Sequence, residues 1–295
     1  MTIGFIGIGK MGLPITRLLI AAGHPVRAFD ADPARLAMAI EAGATAASSV
    51  AECAAACTVC FTSLPHDQAL RGVVLGEAGV LANLGPGGIL VDTSTVSVAV
   101  STEVAEAARV RDRAYVRMPV SGNAHSAASG QLTALVSGPP QAWARVEPVV
   151  KAFTVARVVF GEAEQARVMK LAINLMVAGN AMLMAEALAL GRAGGVQWET
   201  LLDGLAASTL GSPWLRAKTQ ALKVRDFTPT FTPDQLAKDL SLMIEAGDQQ
   251  GVPLPMTAYA RQMMKAVSAL GWADEDFIAI VKLVEQQSGL STETP

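Results

Sequence analysis

Up to residue 161 the chain alternates short apolar runs with longer stretches whose apolar positions recur at helical spacing. The runs at 2–8 (TIGFIGI), 25–30 (PVRAFD), 58–64 (TVCFTSL), 89–94 (ILVDTS), 115–121, 133–137 and 157–160 read as strands. A helical pattern fills 11–22, and another opens at Asp32-Pro33. Strands that alternate with helices predict βαβ units in a mostly parallel, doubly wound sheet, hence an α/β class. Near-continuous apolar strands fit a sheet covered on both faces. After Gly161 the texture changes. Residues 164–193 carry one long helical pattern without proline, stopped by Gly194-Gly195. The remainder reads as all-helical. Thr232-Pro233-Asp234 opens a helix that Gly251 closes, with further helices over 257–270 and 274–287 and a polar, fraying tail at 288–295. The expected organisation is a sheet domain at 1–162 and a helical domain at 163–295, joined by the long helix.

Composition narrows the function classes. The chain has 295 residues, 51% hydrophobic and 17% charged, which suits two packed domains and excludes a disordered chain. With 23 Lys and Arg against 26 Asp and Glu, the net charge is −3, so no basic surplus exists to hold a nucleic acid. The mean hydropathy of +0.37 raises the question of a membrane span. The best candidate, the uncharged run 171–185, is short of the ~20 residues a span needs and contains Asn174, Gly179 and Asn180. A buried helix is the reading adopted, with no membrane partner. The N-terminus lacks a basic region and carries early glycines, unlike a signal peptide. Three cysteines, an odd number, fit a reducing cytoplasm better than a disulfide framework. Cys53, Cys57 and Cys60 have no fourth ligand nearby, so they read as core residues and no metal is expected. Met176, Met182 and Met184 read as core or subunit interface, and Trp214 as packing or a cover for the cleft.

Gly7-Ile8-Gly9-Lys10-Met11-Gly12 is a GxGxxG fingerprint that leaves the first strand and enters the first helix. The first glycine permits the turn, the second admits a pyrophosphate, and the third lets helix and strand pack closely. The free N–H groups of the helix start favour phosphates. Asp30 ends the second strand, where a carboxylate accepts hydrogen bonds from a ribose and repels a 2′-phosphate. NAD is therefore expected, with NADP less favoured; Arg27 and Arg35 are the nearby cations that soften this.

A dehydrogenase needs a group to take the hydroxyl proton. His24 lies in a turn, His66 follows Leu64-Pro65 at a strand end, and His125 sits in a polar loop. Lys170 is the stronger candidate. It stands early in the long helix, with Asn174 on the same face one turn later. An ammonium removed from water beside a cationic ring loses its proton more readily. Spacing alone leaves a surface lysine as the competing reading.

Together these motifs resemble the β-hydroxyacid dehydrogenases, the 3-hydroxyisobutyrate dehydrogenase-like family within the 6-phosphogluconate dehydrogenase superfamily. GFIGIGKMGLP at 4–14 is similar to the family's cofactor signature, Ser63-Leu64-Pro65 to its loop beside the nicotinamide, and VDTST at 91–95 to the segment closing on nicotinamide and substrate. PVSG at 119–122 with GQLT at 130–133 resembles its substrate-carboxylate loop, Lys170 and Asn174 its catalytic pair, and Lys238-Asp239-Leu240 a motif whose lysine reaches the cofactor cleft. The resemblance implies a Rossmann domain, a helical second domain and homodimers or homotetramers. It also implies site residues. Gly7, Gly9, Lys10, Met11, Gly12, Asp30, Leu64, Pro65, Thr95 and Lys238 would contact the dinucleotide. Ser121, Gly122 and Asn123 would hold a small 3-hydroxy acid by its carboxylate, Thr95 and Asn174 would orient its hydroxyl, and Lys170 would act as general acid and base. Arg117-Met118, Asn123 and Leu175 depart from the family pattern, which leaves the substrate open and gives Arg117 two readings, a substrate contact or an ion-pair residue. Imine reduction and non-catalytic dinucleotide binding are the alternatives.

Overall fold

The computed structural model describes residues 1–292. Nine strands form one sheet: β1 (Ile3–Ile6), β2 (Val26–Phe29), β3 (Thr45–Ala46), β4 (Val59–Thr62), β5 (Ile89–Asp92), β6 (Ala114–Arg117), β7 (Val120–Ser121), β8 (Leu132–Ser137) and β9 (Thr154–Gly161). The order is β3-β2-β1-β4-β5-β6-β8-β7, with β9 beside β8. Strands β1 to β6 are parallel, whereas β8 runs antiparallel to β6 and β7. The 115–121 run is realised as two strands. Pro119 has no N–H to give to the ladder, so the strand is interrupted at Met118-Pro119, where Met118 N donates to the Asp92 carbonyl at 2.8 Å and the Pro119 carbonyl accepts from Leu135 N at 3.0 Å.

Side-chain alternation explains the layering. Ile3 and Phe5, Val59 and Phe61, and Ile89 and Val91 enter one core, while Ile6, Cys60, Leu90 and Tyr115 enter the core on the opposite face. Phe5 stacks on Phe61, and Phe153 meets Phe61 edge-on. The three cysteines are free and buried, as their apolar setting suggests.

The chain divides into two compact units, Met1–Lys170 and Leu171–Pro295. The division falls inside helix Gln165–Ala193 because its first residues pack on the sheet: Ala166 N donates to Ser137 Oγ at 2.9 Å. By length and composition this helix could cross a membrane. Its Ala178, Ala181, Ala185 and Leu188 are buried within the second unit. Met182 and Met184 are buried as well, whereas Met176 is exposed.

The second unit adds helices Trp198–Ala207, Pro213–Lys223, Pro233–Gln250, Pro255–Val267 and Ile280–Gln287. Thr232 and Gln235 form a reciprocal capping box, and Gly251 closes that helix in the left-handed region. Trp214 stacks on Phe277, which accounts for it as packing. The tail departs from the expected fraying. Arg192 donates to the Ser291 carbonyl at 2.9 Å and Arg225 to that of Thr292 at 2.6 Å, both anchored in turn on buried Glu285. Residues 293–295 of that tail lie outside the described residues.

Candidate functional site

The parallel register aligns the strand ends: Ile6 pairs with Phe29 and Thr62, Thr62 with Asp92, and Asp92 with Arg117. The residues that follow, Gly7, Asp30, Ser63–Pro65 and Thr93–Thr95, therefore line one edge of the sheet. The strand order reverses between β1 and β4, which is where an open α/β sheet opens a ligand crevice.

Two of the three fingerprint glycines are sterically required. Gly7 has φ +95°, and a Cβ there would lie 2.3 Å from the Ser63 carbonyl oxygen. A Cβ on Gly12 would lie 1.9 Å from the Gly7 oxygen. Gly9 is open, its nearest neighbour being Arg35 Nη1 at 3.8 Å, so this glycine leaves room for a pyrophosphate against the backbone. Helix Gly12–Ala21 starts at Met11 without a side-chain cap, and its N–H groups suit an anion. Lys10 is exposed on the turn. The residues present thus fit a dinucleotide. Asp30 does more than face solvent: it accepts from Ile8 N at 2.6 Å and Asp32 N at 2.8 Å, so it holds the glycine turn.

Beside this turn lies a buried polar cluster that the sequence reading missed. Arg167 is 1% exposed and Asp92 0%. The Arg167 guanidinium donates to Asp92 Oδ2 and the Ser94 carbonyl, to the Tyr115 hydroxyl at 2.9 Å and to Ser101 Oγ at 3.3 Å. Burial works against its charge, but Tyr115 and Asp92 outweigh burial and raise its pKa. Burial also raises the pKa of the Tyr115 phenol. Asp92 Oδ1 accepts from Thr62 Oγ1 at 2.7 Å and Ser94 Oγ at 2.5 Å. Ser94 Oγ accepts from Leu64 N at 2.8 Å, which ties the Leu64-Pro65 loop to the Thr95 loop. A signal for Arg167 existed: it shares a helical face with Lys170, Leu171 and Asn174, all of them buried.

Arg117 is resolved as an ion-pair residue. Its Nε donates to Glu164 Oε1 at 2.7 Å, its Nη1 to the Glu162 carbonyl at 3.2 Å, and its guanidinium lies 4.6 Å from the Tyr115 ring centre. Its side chain is 7% exposed.

The Ser121–Asn123 loop follows β7. Gly122 has φ +135°, and a Cβ there would meet Leu132 Cδ2 at 2.6 Å. Asn123 Oδ1 caps helix Ala124–Ala128 by accepting from Ser126 N at 3.0 Å, so the amide hydrogens are what that side chain can offer a ligand. His66 caps helix Asp67–Leu75 through Nδ1, His24 sits half-buried in the loop before β2, and His125 lies in helix Ala124–Ala128.

Lys170 is 9% exposed at the end of the first unit. In the second unit Asn174, 8% exposed, donates to Asp239 Oδ2 at 2.8 Å, and Lys238 Nζ lies 2.8 Å from Asp239 Oδ1. Asp239 therefore orients the Asn174 amide, a role the Lys238-Asp239-Leu240 motif did not reveal.

Fold and site define a Rossmann dinucleotide-binding protein with a helical second unit. Comparison with known sequences sharpens this. The family described as the NAD binding domain of 6-phosphogluconate dehydrogenase matches residues 2–161, and that described as the NAD-binding of NADP-dependent 3-hydroxyisobutyrate dehydrogenase matches 165–284. The 2-(hydroxymethyl)glutarate dehydrogenase of Eubacterium barkeri is 35% identical over 98% of this chain and 96% of its own length. The NAD-dependent L-serine dehydrogenase of Pseudomonas aeruginosa is 31% identical over 97% and 99%. Among solved structures, the 3-hydroxyisobutyrate dehydrogenase of Mycobacterium tuberculosis with L-serine superposes with a TM-score of 0.86 at 29% identity, covering 96% of this chain and 98% of that one. The chain belongs to the 3-hydroxyisobutyrate dehydrogenase-like β-hydroxyacid dehydrogenases, NAD(P)-dependent dehydrogenases acting on 3-hydroxy acids within the 6-phosphogluconate dehydrogenase superfamily.

Proposed function

We propose that the chain oxidises the primary alcohol of small acids of the form HO–CH2–CH(R)–COO⁻ to the semialdehyde, with NAD preferred over NADP and Lys170 as the proton-transfer group. The burial of Lys170, at 9% exposure, carries the reading. Lysines are rarely removed from water without a task that rewards it, and a desolvated ammonium releases its proton more easily. The substrate form is supported by chemistry that three of the relatives share. L-serine, 3-hydroxyisobutyrate and 2-(hydroxymethyl)glutarate all carry a hydroxymethyl group on the carbon next to a carboxylate.

In this reading the Ser121 and Gly122 backbone N–H groups and the Asn123 amide hold the carboxylate. Thr95 and Asn174 orient the hydroxyl, with Asp239 fixing the Asn174 amide. Bound nicotinamide supplies the two-electron acceptor for the hydrogen leaving the carbinol carbon. Lys170 in its amine form takes the hydroxyl proton, and in the reverse direction returns it. Lys238 adds positive charge for the dinucleotide. Asp30 supports NAD, because its carboxylate opposes a 2′-phosphate.

The test is turnover of 3-hydroxyisobutyrate, L-serine and 2-(hydroxymethyl)glutarate at mildly alkaline pH, with NAD and NADP in parallel. NAD is expected to be favoured in kcat/KM by about tenfold or more. Lys170→Ala is expected to leave NADH affinity unchanged while kcat falls by ~10³-fold. Near-normal turnover in that variant overturns the role of Lys170. Silence on all three acids with NADH binding intact overturns the substrate form and turns attention to imines.

A further inference from the structure

We propose that Arg167 is a positioning residue for this reaction, setting the helix turn that carries Lys170 against the loop that carries Thr95; the inference rests on the reading of Lys170 above. Arg167 is 1% exposed, and its donors reach three separate segments. Asp92 ends β5 and Ser94 follows it, Tyr115 lies in β6, and Ser101 lies in helix Val98–Val110. Through Ser94 Oγ the same network reaches the Leu64 amide. Lys170 follows Arg167 by three residues, just under one helical turn. A shift of the guanidinium would therefore move Lys170, Thr95 and Leu64 together, and these are three groups of the proposed site.

The energetics argue against mere filling. A buried ion pair adds little stability over well-packed apolar residues of the same volume, so its use points to fixed geometry. The guanidinium spreads its donors over Nε, Nη1 and Nη2 in a fixed plane, whereas the three donors of an ammonium share one nitrogen and cannot span the same partners in the same geometry. The guanidinium keeps its partners within unit Met1–Lys170, so Arg167 touches the scaffold and acts through its neighbours.

The experiment uses the full chain with NAD and whichever of the three acids turns over fastest. Arg167→Lys keeps the charge and is expected to lower kcat by about 10–100-fold, with KM and NADH affinity within about threefold of the parent. In the cofactor-free protein, amide exchange over segments 93–97 and 165–171 is expected to quicken, while helix Gly12–Ala21 keeps its rate. The double variant Arg167→Met with Asp92→Asn removes both charges. It is expected to melt higher than Arg167→Met alone while kcat stays low. Recovery of kcat together with the melting midpoint would show a purely structural role and overturn the inference. Native kcat in Arg167→Lys would overturn it too. Added to Lys170→Met, Arg167→Lys is expected to cost clearly less than it does in the parent, and an undiminished loss would show that Arg167 does not act through Lys170. Retained turnover in Lys170→Met alone would instead strike the reading of Lys170, so the two failures are separable.

Discussion

The molecule buries arginine–carboxylate clusters in both units, and they differ in what surrounds them. In the second unit Glu285, 0% exposed, accepts from Arg192 at 2.5 Å and from Arg225 at 2.9 and 2.7 Å, with the Trp198 ring 5.6 and 5.3 Å from the two guanidinium groups. Its further bonds go to the carbonyls of Ser291 and Thr292. This cluster holds Ser291 and Thr292 onto their own unit. The Asp92–Arg167 cluster uses the same chemistry, but its further bonds go to Ser94, and through it to Leu64. A buried arginine–carboxylate pair by itself therefore does not mark a site. What the partners connect to does.

The largest expected effect tests that distinction. Glu285→Ala leaves two guanidinium groups buried without a counter-charge, which should cost about 3–5 kcal/mol of stability. Urea unfolding should show the loss, while kcat per folded molecule stays at the parental value. A fall in kcat beyond the folded fraction would place this cluster in the catalytic apparatus as well, and the contrast with Arg167 would collapse.

A smaller effect is expected at Tyr115, whose hydroxyl lies 2.9 Å from Arg167 Nη2 and 3.1 Å from Ser101 Oγ. Tyr115→Phe should cost about 1–3 kcal/mol at neutral pH, since one of the lost bonds involves a charged group. Alkaline pH gives the sign. Burial raises the phenol's pKa in the folded state, so above pH ~10 the unfolded chain loses this proton first and stability falls as pH rises through the folded value. Urea midpoints at rising alkaline pH should decline less steeply in Tyr115→Phe than in the parent. Parallel declines would mean that the phenol is not held in the cluster.

The same contrast explains what the sequence could reveal. The turn Gly7–Gly12 is legible because its requirements are local: glycine is demanded where a Cβ would strike backbone at 2.3 or 1.9 Å. The parallel order of β1 to β6 follows from alternating elements, and the helix stop after Ala193 from Gly194-Gly195. The clusters are not local. Thr62, Asp92, Tyr115 and Arg167 meet only after the sheet forms, and Glu164 reaches Arg117 from 47 positions away. Asn suits both ligands and helix caps, so the sequence alone does not reveal that Asn123 Oδ1 serves a cap, which leaves its amide hydrogens for a ligand. The polar residues of the tail signal solvent, while the carbonyls of Ser291 and Thr292 are held by arginines distant in sequence.

The smallest expected effect supplies the control for burial. Arg71 and Glu103 form a two-pronged pair at 2.7 and 2.8 Å, geometrically as good as those in the clusters, but both side chains are nearly half exposed. The bond from Arg71 lowers the Glu103 pKa. Its contribution is thus present above the ordinary glutamate range near pH ~4.3 and is lost as pH falls through the lower folded value. Water and salt screen such a pair, so Glu103→Gln should leave the melting midpoint at neutral pH unchanged. It should also make the midpoint slightly less sensitive to acid. A loss as large as that of Glu285→Ala would show that pairing geometry, rather than burial, sets the cost of breaking these clusters, and the distinction between the two buried sites would then need a different basis.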